Sequence, residues 1–434
     1  MVSDNIQPLL PEQLGQRLKQ RLTLKGRLTS WLPQIDIPPP LLVAAAVMTT
    51  LFNCGAPMNK IAAGIFWIRG GFYPCSGDCL HQIVAVADAV QTYVSMDLIV
   101  PAVGGLVLDH LGAKATAIIA LLPMTISYFG YLPQAASMGL QLPMILQGSF
   151  LQMVLNPLIT LGFQFGSASS KVVISLVSGG CELAGLVFPA FNYIMEAYDV
   201  EYTSCVMFLI AQSAAALLFV TFFLPNELED TSDVELPTVP PPSLTKQVWS
   251  TPYLLFMASW IITIVNMTTI LSAVDSILLA NGDVEGEVAT FFANGLAFSF
   301  VGCVFFGNVL TIVGTGPVFV TLQLCALTTN ICAVIPNLTA QRVLSVCFIA
   351  YKGSLFTVLF SFVTDNYGVG NMGTLVSICS VVSGAFTKVL GAALLNLAVE
   401  KGISRGIPDW TLIMYGFMVA QVLAVLLVIP LLRR

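Results

Sequence analysis

Residues 105–114 read GLVLDHLGAK, and 202 positions later residues 307–316 read GNVLTIVGTG. Both segments share the spacing G-x-x-x-[D/T]-x-x-G. A second pair of segments, beginning at Ser175 and Ser380, shares the pattern S-x-V-S-G with an offset of 205 positions. Two matches at nearly the same offset indicate that the second half of the chain repeats the first.

The composition is that of an integral membrane protein. Only 9% of the 434 residues are charged, 56% are hydrophobic, and the mean hydropathy is +0.87. Runs of about 20 apolar residues match the thickness of a bilayer core, and their backbone must satisfy its own hydrogen bonds, so they predict transmembrane helices. The runs predict twelve spans, at 41–62, 83–108, 115–134, 141–163, 172–194, 203–224, 252–273, 288–311, 317–335, 343–363, 373–397 and 410–431.

The spans fall into two groups of six. We predict a cytoplasmic N-terminal segment (1–40), a first bundle (41–225), a cytoplasmic linker (226–250) and a second bundle (251–434). The linker is acidic, rich in proline and without apolar periodicity, which is typical of a flexible connection. The repeated segments run in the same membrane direction, so the repeat is parallel, about an axis along the membrane normal.

The Lys and Arg residues favour a cytoplasmic N-terminus. With both termini inside, ten of them fall on the inner side and about five on the outer side, and positive charge marks the cytoplasmic side. The N-terminal basic cluster therefore predicts a membrane flank rather than nucleic acid binding. No apolar run with a cleavage site opens the chain, so we expect no cleaved signal peptide. The sequence is compatible with the plasma membrane or an endomembrane.

The first repeated segment resembles the loop 2–3 signature of the major facilitator superfamily, G-x-L-x-D-R-x-G-R-K. The matching positions are Gly105, Asp109, Gly112 and Lys114, whereas His110 and Ala113 stand where the signature has arginines. The resemblance covers residues 41–434. It implies an all-α membrane protein with twelve transmembrane helices in two pseudo-symmetric six-helix bundles, and a cytoplasmic gate that includes Asp109 and Lys114.

Finer features resemble the L-type branch of facilitative amino-acid transporters within that superfamily. They are residues 51–57 (LFNCGAP), the cysteine-bearing loop that follows, and residues 178–182 (SGGCE). Cys181 and Glu182 stand where that branch carries Phe and Asp. The resemblance implies transport of neutral or related amino acids without a nucleotide cofactor.

Four ionisable residues lie near the middle of predicted spans, where a charge is costly and is a functional candidate by default. At 1.5 Å per residue, Asp97, Glu182 and Lys352 lie ~15 to 16 Å from the cytoplasmic end of their spans, and Lys388 lies ~22 Å from it. The acids belong to the first bundle and the lysines to the second, so a zwitterion between the bundles would meet one charge type on each wall.

Glu182 and Lys352 are predicted to bind substrate, because no partner for either is evident in the sequence. Asp97 and Lys388 are predicted to form a gating or coupling pair, because spans 2 and 11 face each other in the superfamily; contact with the substrate is the alternative for this pair. Proton transfer through Asp97 or Glu182 is a further option, since a desolvated carboxylate can carry a proton.

Uncharged polar residues complete the predicted substrate site. The candidates are Asn53, Gln152, Asn156 and Asn266, with Gln147 as an additional polar residue of span 4. For each of them the alternative is an interhelical hydrogen bond worth roughly 0.6 kcal/mol. Asn53 lies beside Gly55 and Pro57, where we expect the helix to loosen and expose carbonyl groups.

Cys75 and Cys79 flank a short polar segment of a predicted outer loop. A local disulfide between them is one option, and Cys205 is a third candidate partner. The sequence shows no catalytic constellation, no P-loop and no zinc pattern, so we predict neither an enzyme nor a cofactor or metal.

The sequence therefore predicts a monomeric secondary transporter that moves a small polar organic solute across the lipid bilayer by alternating access. An amino acid is the preferred solute, with proton coupling as an option. The alternatives are another solute, such as a nucleoside, monocarboxylate or sugar, and a non-transporting sensor built on the same fold.

Overall fold

The computed structural model describes residues 35–433 apart from positions 56, 58, 74–79, 166, 226–242, 369 and 403–407. These residues form helices and turns, with no strand among them. The main helices are α1 (Pro39–Asn53 and Lys60–Arg69), α2 (Leu80–Ile99 and Pro101–Leu111), α3 (Ala113–Phe129), α4 (Gln141–Ile159), α5 (Ser167–Leu183 and Val187–Tyr198), α6 (Tyr202–Phe223), α7 (Thr251–Ala280), α8 (Glu287–Gly295 and Ser299–Val313), α9 (Thr315–Ala333), α10 (Leu338–Tyr367), α11 (Met372–Gly402) and α12 (Thr411–Val428).

The twelve predicted spans correspond one to one to α1–α12. Nine of the described helices are long and apolar enough to cross a bilayer, and the two pieces of α2, bent by 47°, make a tenth candidate. The two others, Pro39–Asn53 of α1 and Ala113–Phe129 of α3, are shorter apolar helices. Pro101 begins the second piece of α2, and a proline that lacks an N–H at this point accounts for the bend.

Besides α2, three helices are interrupted partway along their length. Between Asn53 and Lys60 the helix of α1 is broken, and Gly55 adopts a φ of +94° that only glycine takes up readily. In α5 the break is a 3₁₀ turn at Ala184–Leu186, and in α8 it is a 3₁₀ turn at Leu296–Phe298. The loosening that the sequence predicts beside Asn53 is therefore present, although the predicted span 41–62 is not one continuous helix.

The two halves of the chain meet through small residues. A side chain at Gly105 of α2 would overlap the backbone of Gly373 in α11, and one at Gly307 of α8 would overlap the Ser175 side chain of α5. Glycines allow this close approach, which is how helices in membranes gain packing energy. Gly105 and Gly307 open the two repeated segments, so each repeat uses its first glycine in the same way.

The two ends of the helix bundle are called the Asp109 face and the Arg69 face, after a residue near each. The Asp109 face is where α2, α8 and α10 end and α3, α9 and α11 begin, and the Arg69 face lies at the opposite ends of these helices. Most of the predicted linker lies outside the described residues. Its last part forms a short helix, Leu244–Val248, in which buried Gln247 accepts a hydrogen bond from Asn371 at 3.1 Å.

Candidate functional site

An ion pair joins the two halves of the chain at mid-height. The Lys352 ammonium group, at the middle of the 30-residue helix α10, donates to the Glu182 carboxylate of α5. Their side chains are only 11% and 10% exposed. The sequence shows no partner for either residue, because 170 positions separate them; the fold makes each the partner of the other.

The pair borders a very small cavity. Its volume is about 20 Å³, and about 10 to 15 Å³ on the same kind of measure is the space that one water molecule needs. Its lining residues are Gly55, Asn59, Cys181, Glu182, Gly185, Leu271, Leu296 and Lys352. The cavity beside the ion pair, as lined by the described residues, is therefore too small for an organic solute.

The helix breaks of α1 and α5 meet at this cavity. The Gly55 N–H donates to the Tyr93 hydroxyl at 3.0 Å, and the Asn59 amide donates to the Gly185 carbonyl at 3.0 Å. A side chain at Gly55 would lie 2.8 Å from the Cys181 carbonyl oxygen. The break in α1 is therefore held against the turn that precedes the break in α5, directly beside Glu182.

Asp97 lies close to this group but does not pair with a lysine. It is 4% exposed, it lies beside Gln152, and its Oδ1 has no hydrogen-bond partner within the described part of the chain. Tyr93 and Cys181 lie in the neighbourhood of Asp97, and Cys181 also lies near Glu182 and Lys352. Asp97 and the ion pair are thus parts of one polar region.

The predicted pair between Asp97 and Lys388 is not formed in the described structure. Among the described residues no ion pair joins them, and Lys388 is exposed. Gly384 of α11 packs against Leu98 of α2, where an added Cβ would lie 2.6 Å from the Leu98 Cβ. Lys388 lies one turn beyond Gly384, so it is offset by about 5 Å toward the Arg69 face from the level of Asp97.

The predicted amides are buried and incompletely bonded. Asn53 donates to the Thr49 carbonyl and to Gln212 at 3.3 Å, but its Oδ1 has no partner. Asn156 likewise has a free Oδ1, and Asn266 has no partner for either amide atom. Gln147, within the first bundle, accepts from the Tyr131 hydroxyl at 2.7 Å, but its Nε2 has no partner.

The predicted gate residue Asp109 reaches across to the other half. Its carboxylate accepts from the N–H of Gly373 at 3.1 Å, and from the N–H and hydroxyl of Thr374 at 2.8 and 2.5 Å. These groups lie in the first turn of α11, where backbone N–H groups have no partner inside the helix and a negative charge is favourable. Lys114 is 1% exposed and interacts within the protein.

A second contact between the halves at this face is absent from the sequence-based predictions. Lys171 of α5 pairs with Asp365 of α10 at 2.9 Å, and the Thr315 hydroxyl donates to the same carboxylate at 2.7 Å. In the second repeat Thr311 of α8 occupies the position that Asp109 has in α2. A threonine carries no negative charge, so Thr311 cannot bind the start of α5 as Asp109 binds the start of α11. The acid that contacts α5 is instead Asp365, at the end of α10.

The predicted disulfide lies outside the described part of the chain, because both Cys75 and Cys79 do. The third candidate, Cys205, is described as a buried free thiol. Within the described part of the chain, no group of His, Cys, Asp and Glu is arranged to hold a metal ion. Tyr93, Asn59 and Gly185, which shape the central cavity, were not predicted, because neither residue type nor spacing distinguishes them from ordinary helix contacts.

Solved transporter structures share this architecture. The E. coli fucose:proton symporter FucP has a TM-score of 0.63 at 12% identity, over 90% of this chain and 97% of that chain. The human organic anion transporter MFSD10 has a TM-score of 0.62 at 13% identity, over 91% and 100%. The major facilitator superfamily proton:xylose symporter XylE has a TM-score of 0.63 at 12% identity, over 89% and 94%. No protein-family model and no curated protein matches the amino-acid sequence.

These similarities establish the fold. The chain has the all-α major facilitator fold, with twelve main helices in two pseudo-symmetric six-helix bundles as its sequence predicts; nine of the described helices, or ten with the bent α2, are long and apolar enough to cross a membrane.

Proposed function

We propose that this chain is a secondary transporter that moves a small polar organic solute across a membrane by alternating access. The observation that carries the proposal is the buried Glu182–Lys352 ion pair, which bridges the two halves at the height where substrates bind in such folds. A charge in this position is costly and is retained for function more often than for stability.

The preferred substrate is a zwitterion, such as an amino acid. Its carboxylate would replace Glu182 as the partner of Lys352, and its ammonium group would replace Lys352 as the partner of Glu182. Each charge would then exchange one partner for another instead of being left bare in the membrane, where an unpaired charge costs several kcal/mol. The exchange also separates the two residues that hold the halves together at this height, so binding and rearrangement are linked.

Contacts that close the Asp109 face correspond to one state of an alternating-access cycle, the state in which the site is shut off from that side of the membrane. The Asp109 contact with α11 and the Lys171–Asp365 pair hold the halves together there. We propose that this face is cytoplasmic, from the distribution of Lys and Arg, so the described state is closed to the cytoplasm. Asp97, buried beside Gln152 with one unpartnered oxygen, is the group that we propose for proton coupling.

A sugar or nucleoside is the second candidate class. The unpartnered amide groups of Asn53, Asn156 and Asn266 are suited to the hydroxyl groups of a neutral solute. FucP and XylE are named as sugar symporters, and the nucleoside transporter NupG has a TM-score of 0.56 with this chain at 14% identity. Such a solute would bind beside the ion pair and leave it intact.

Counterflow in proteoliposomes tests the proposal. Labelled amino acids, sugars and nucleosides should be offered separately at two values of pH, and an amino acid should exchange. Glu182→Gln and Lys352→Met should each abolish that exchange, whereas Arg69→Met, in an exposed pair at the other face, should not. If only neutral solutes exchange, and neither Glu182→Gln nor Lys352→Met changes that exchange, the proposal of a zwitterionic substrate is refuted. Absence of exchange for every class would favour a sensor.

A further inference from the structure

The middle of α11 carries a positive charge that the described part of the chain does not neutralise. Lys388 is exposed, and none of the ion pairs among the described residues includes it. At 1.5 Å per residue it lies about 24 Å from the start of the 31-residue helix α11 and about 21 Å from its end. A lysine near a helix end can extend its ammonium group to the lipid headgroups, but a lysine at mid-height lies too deep for that. Lys388 therefore lacks the usual means by which a charge in a membrane is stabilised.

Lys388 belongs to an exposed stripe that runs along α11 toward the Arg69 face. The stripe contains Ala385 and Lys388, which are exposed, Leu395, which is 49% exposed, and Val399, which is 48% exposed. These residues follow one another at intervals of three, seven and four positions, which is the spacing of the contact seam between two packed helices. The stripe thus has the form of a surface against which one more helix can pack.

The buried residues in this part of α11 lie off the stripe. Ser383 is 1% exposed, Ala398 is 0% exposed, and Gly384 packs against Leu98 of α2. Of the nine single helices in the described chain that are long and apolar enough to cross a membrane, α11 is the least buried. The buried share of its most apolar window is 24%, against 28 to 78% in the other eight. One face of α11 is therefore left uncovered by the rest of the described chain, and Lys388 lies on that face.

A second copy of this chain does not offer a suitable negative charge. The two described acids at about the height of Lys388 are Asp97, which is 4% exposed, and Glu182, which is 10% exposed. Both are buried in the first half, and Glu182 is already paired with Lys352. Phospholipid headgroups lie at the surface of a hydrocarbon layer about 30 Å thick, so they do not reach the middle of a span. A carboxyl group held at mid-height by a helix of another membrane protein matches both the charge and the stripe.

We propose that this stripe binds a transmembrane helix of a different protein, and that a Glu or Asp near the middle of that helix pairs with Lys388. Charged side chains within a membrane pair with one another, because an unpaired charge there is costly. The small side chain of Ala385 allows the partner helix to approach closely, and Leu395 and Val399 pack against its apolar side chains. The chain, which its sequence predicts to be a monomer, is then one subunit of a hetero-oligomer.

Binding of a synthetic transmembrane helix to the full chain in proteoliposomes tests this surface. The probe is a peptide of about 22 residues, rich in Leu and Ala, with a single Glu at its centre. Two matched peptides carry Gln or Lys at the central position. Energy transfer from a dye on the chain to a dye on the peptide, measured against the peptide-to-lipid ratio, reports the affinity. The Glu peptide should bind about fivefold more tightly than the Gln peptide, because only the Glu peptide can form the ion pair with Lys388.

Variants of the chain assign the preference to Lys388. Lys388→Met should abolish the preference for the Glu peptide, and Lys388→Glu should transfer the preference to the Lys peptide. Lys401→Met is the control, because it removes an exposed lysine from the last turn of the same helix, and it should leave the preference unchanged. Equal binding of the Glu and Gln peptides by the wild-type chain would overturn the proposal. A preference for the Glu peptide that survives Lys388→Met would overturn it as well.

Two further measurements examine other occupants of the stripe. If a spin-labelled fatty acid binds to the wild-type chain but not to Lys388→Met, and the Glu peptide is not preferred, the site binds an amphiphilic anion and the proposal fails. If Lys388→Cys gains rapid reaction with a membrane-impermeant maleimide, relative to the wild-type chain, Lys388 lies in an aqueous opening and the proposal fails. None of these outcomes depends on whether the chain transports a solute.

Discussion

Removing one partner of the Glu182–Lys352 pair should destabilise the folded protein strongly. Each side chain is about nine-tenths buried, so Lys352→Met leaves the Glu182 carboxylate buried without its cation. Breaking a buried pair in this way costs about 3 to 5 kcal/mol. We expect about 3 kcal/mol, the lower end, because the adjoining cavity of about 20 Å³ can admit a water molecule to the remaining charge.

The double variant Glu182→Met, Lys352→Met should recover most of that loss. Neither charge then remains, and well-packed apolar replacements of buried ion pairs are often neutral or stabilising. The two single variants and the double variant form a cycle, and we expect a coupling free energy of about 2 kcal/mol or more between the two positions. A smaller side chain at either position would confound the cycle with a new cavity, which is why methionine is chosen.

The assay is reversible unfolding in mixed micelles of the purified wild-type protein and its variants, followed by tryptophan fluorescence. The matched control is the exposed pair Arg69–Glu196, whose side chains are 36% and 75% exposed at the Arg69 face. Its cycle should give a coupling of less than about 1 kcal/mol. If the Glu182–Lys352 cycle gives no more than that control, the pair is not buried as described, and the reasoning fails.

Three shorter predictions concern other positions. Gly55→Ala should lower the free energy of unfolding by about 2 kcal/mol, because φ is +94° and the new methyl group meets a carbonyl oxygen of α5. Gly71→Ala is the control: φ is +82° there but no atom lies near the new methyl group, so the free energy of unfolding should fall by less. Asp109→Ala should cost about 1 to 2 kcal/mol and speed hydrogen exchange at the start of α11, whereas Thr311→Ala should change neither. Lys388→Met should not lower the unfolding free energy by as much as about 1 kcal/mol, because the side chain is exposed and not paired with Asp97. A larger loss would indicate that the predicted pair forms.

The sequence predicts the candidate site unevenly. Glu182 and Lys352 are recognisable because a charge within an apolar run is rare, and depth along a helix can be counted from its end. Their pairing is invisible, because it depends on how α5 and α10 are rotated about their axes. The same limit applies at Lys388, where one helical turn separates Gly384, which packs against Leu98 beside Asp97, from a residue that is exposed.

The contacts that close the Asp109 face show a similar division. Asp109 stands out within a repeated segment, and its partner lies in the first turn of a helix, where N–H groups need an acceptor. Asp365 has no such signal, because an acid at the end of a span is usually solvated. Only the approach of α5 to α10 gives it Lys171 as a partner.

The membrane character, the twelve helices and their division into two related halves follow from the sequence alone. Hydrocarbon imposes a length and an internally bonded backbone on every span, and both constraints are local, so residue order is enough to reveal them. Which charges meet, where α1 and α5 touch at their breaks, and where cavities open were decided by tertiary structure. These features depend on the rotation and approach of helices that lie far apart in the chain, and a change of one residue along a helix turns a side chain by about 100°.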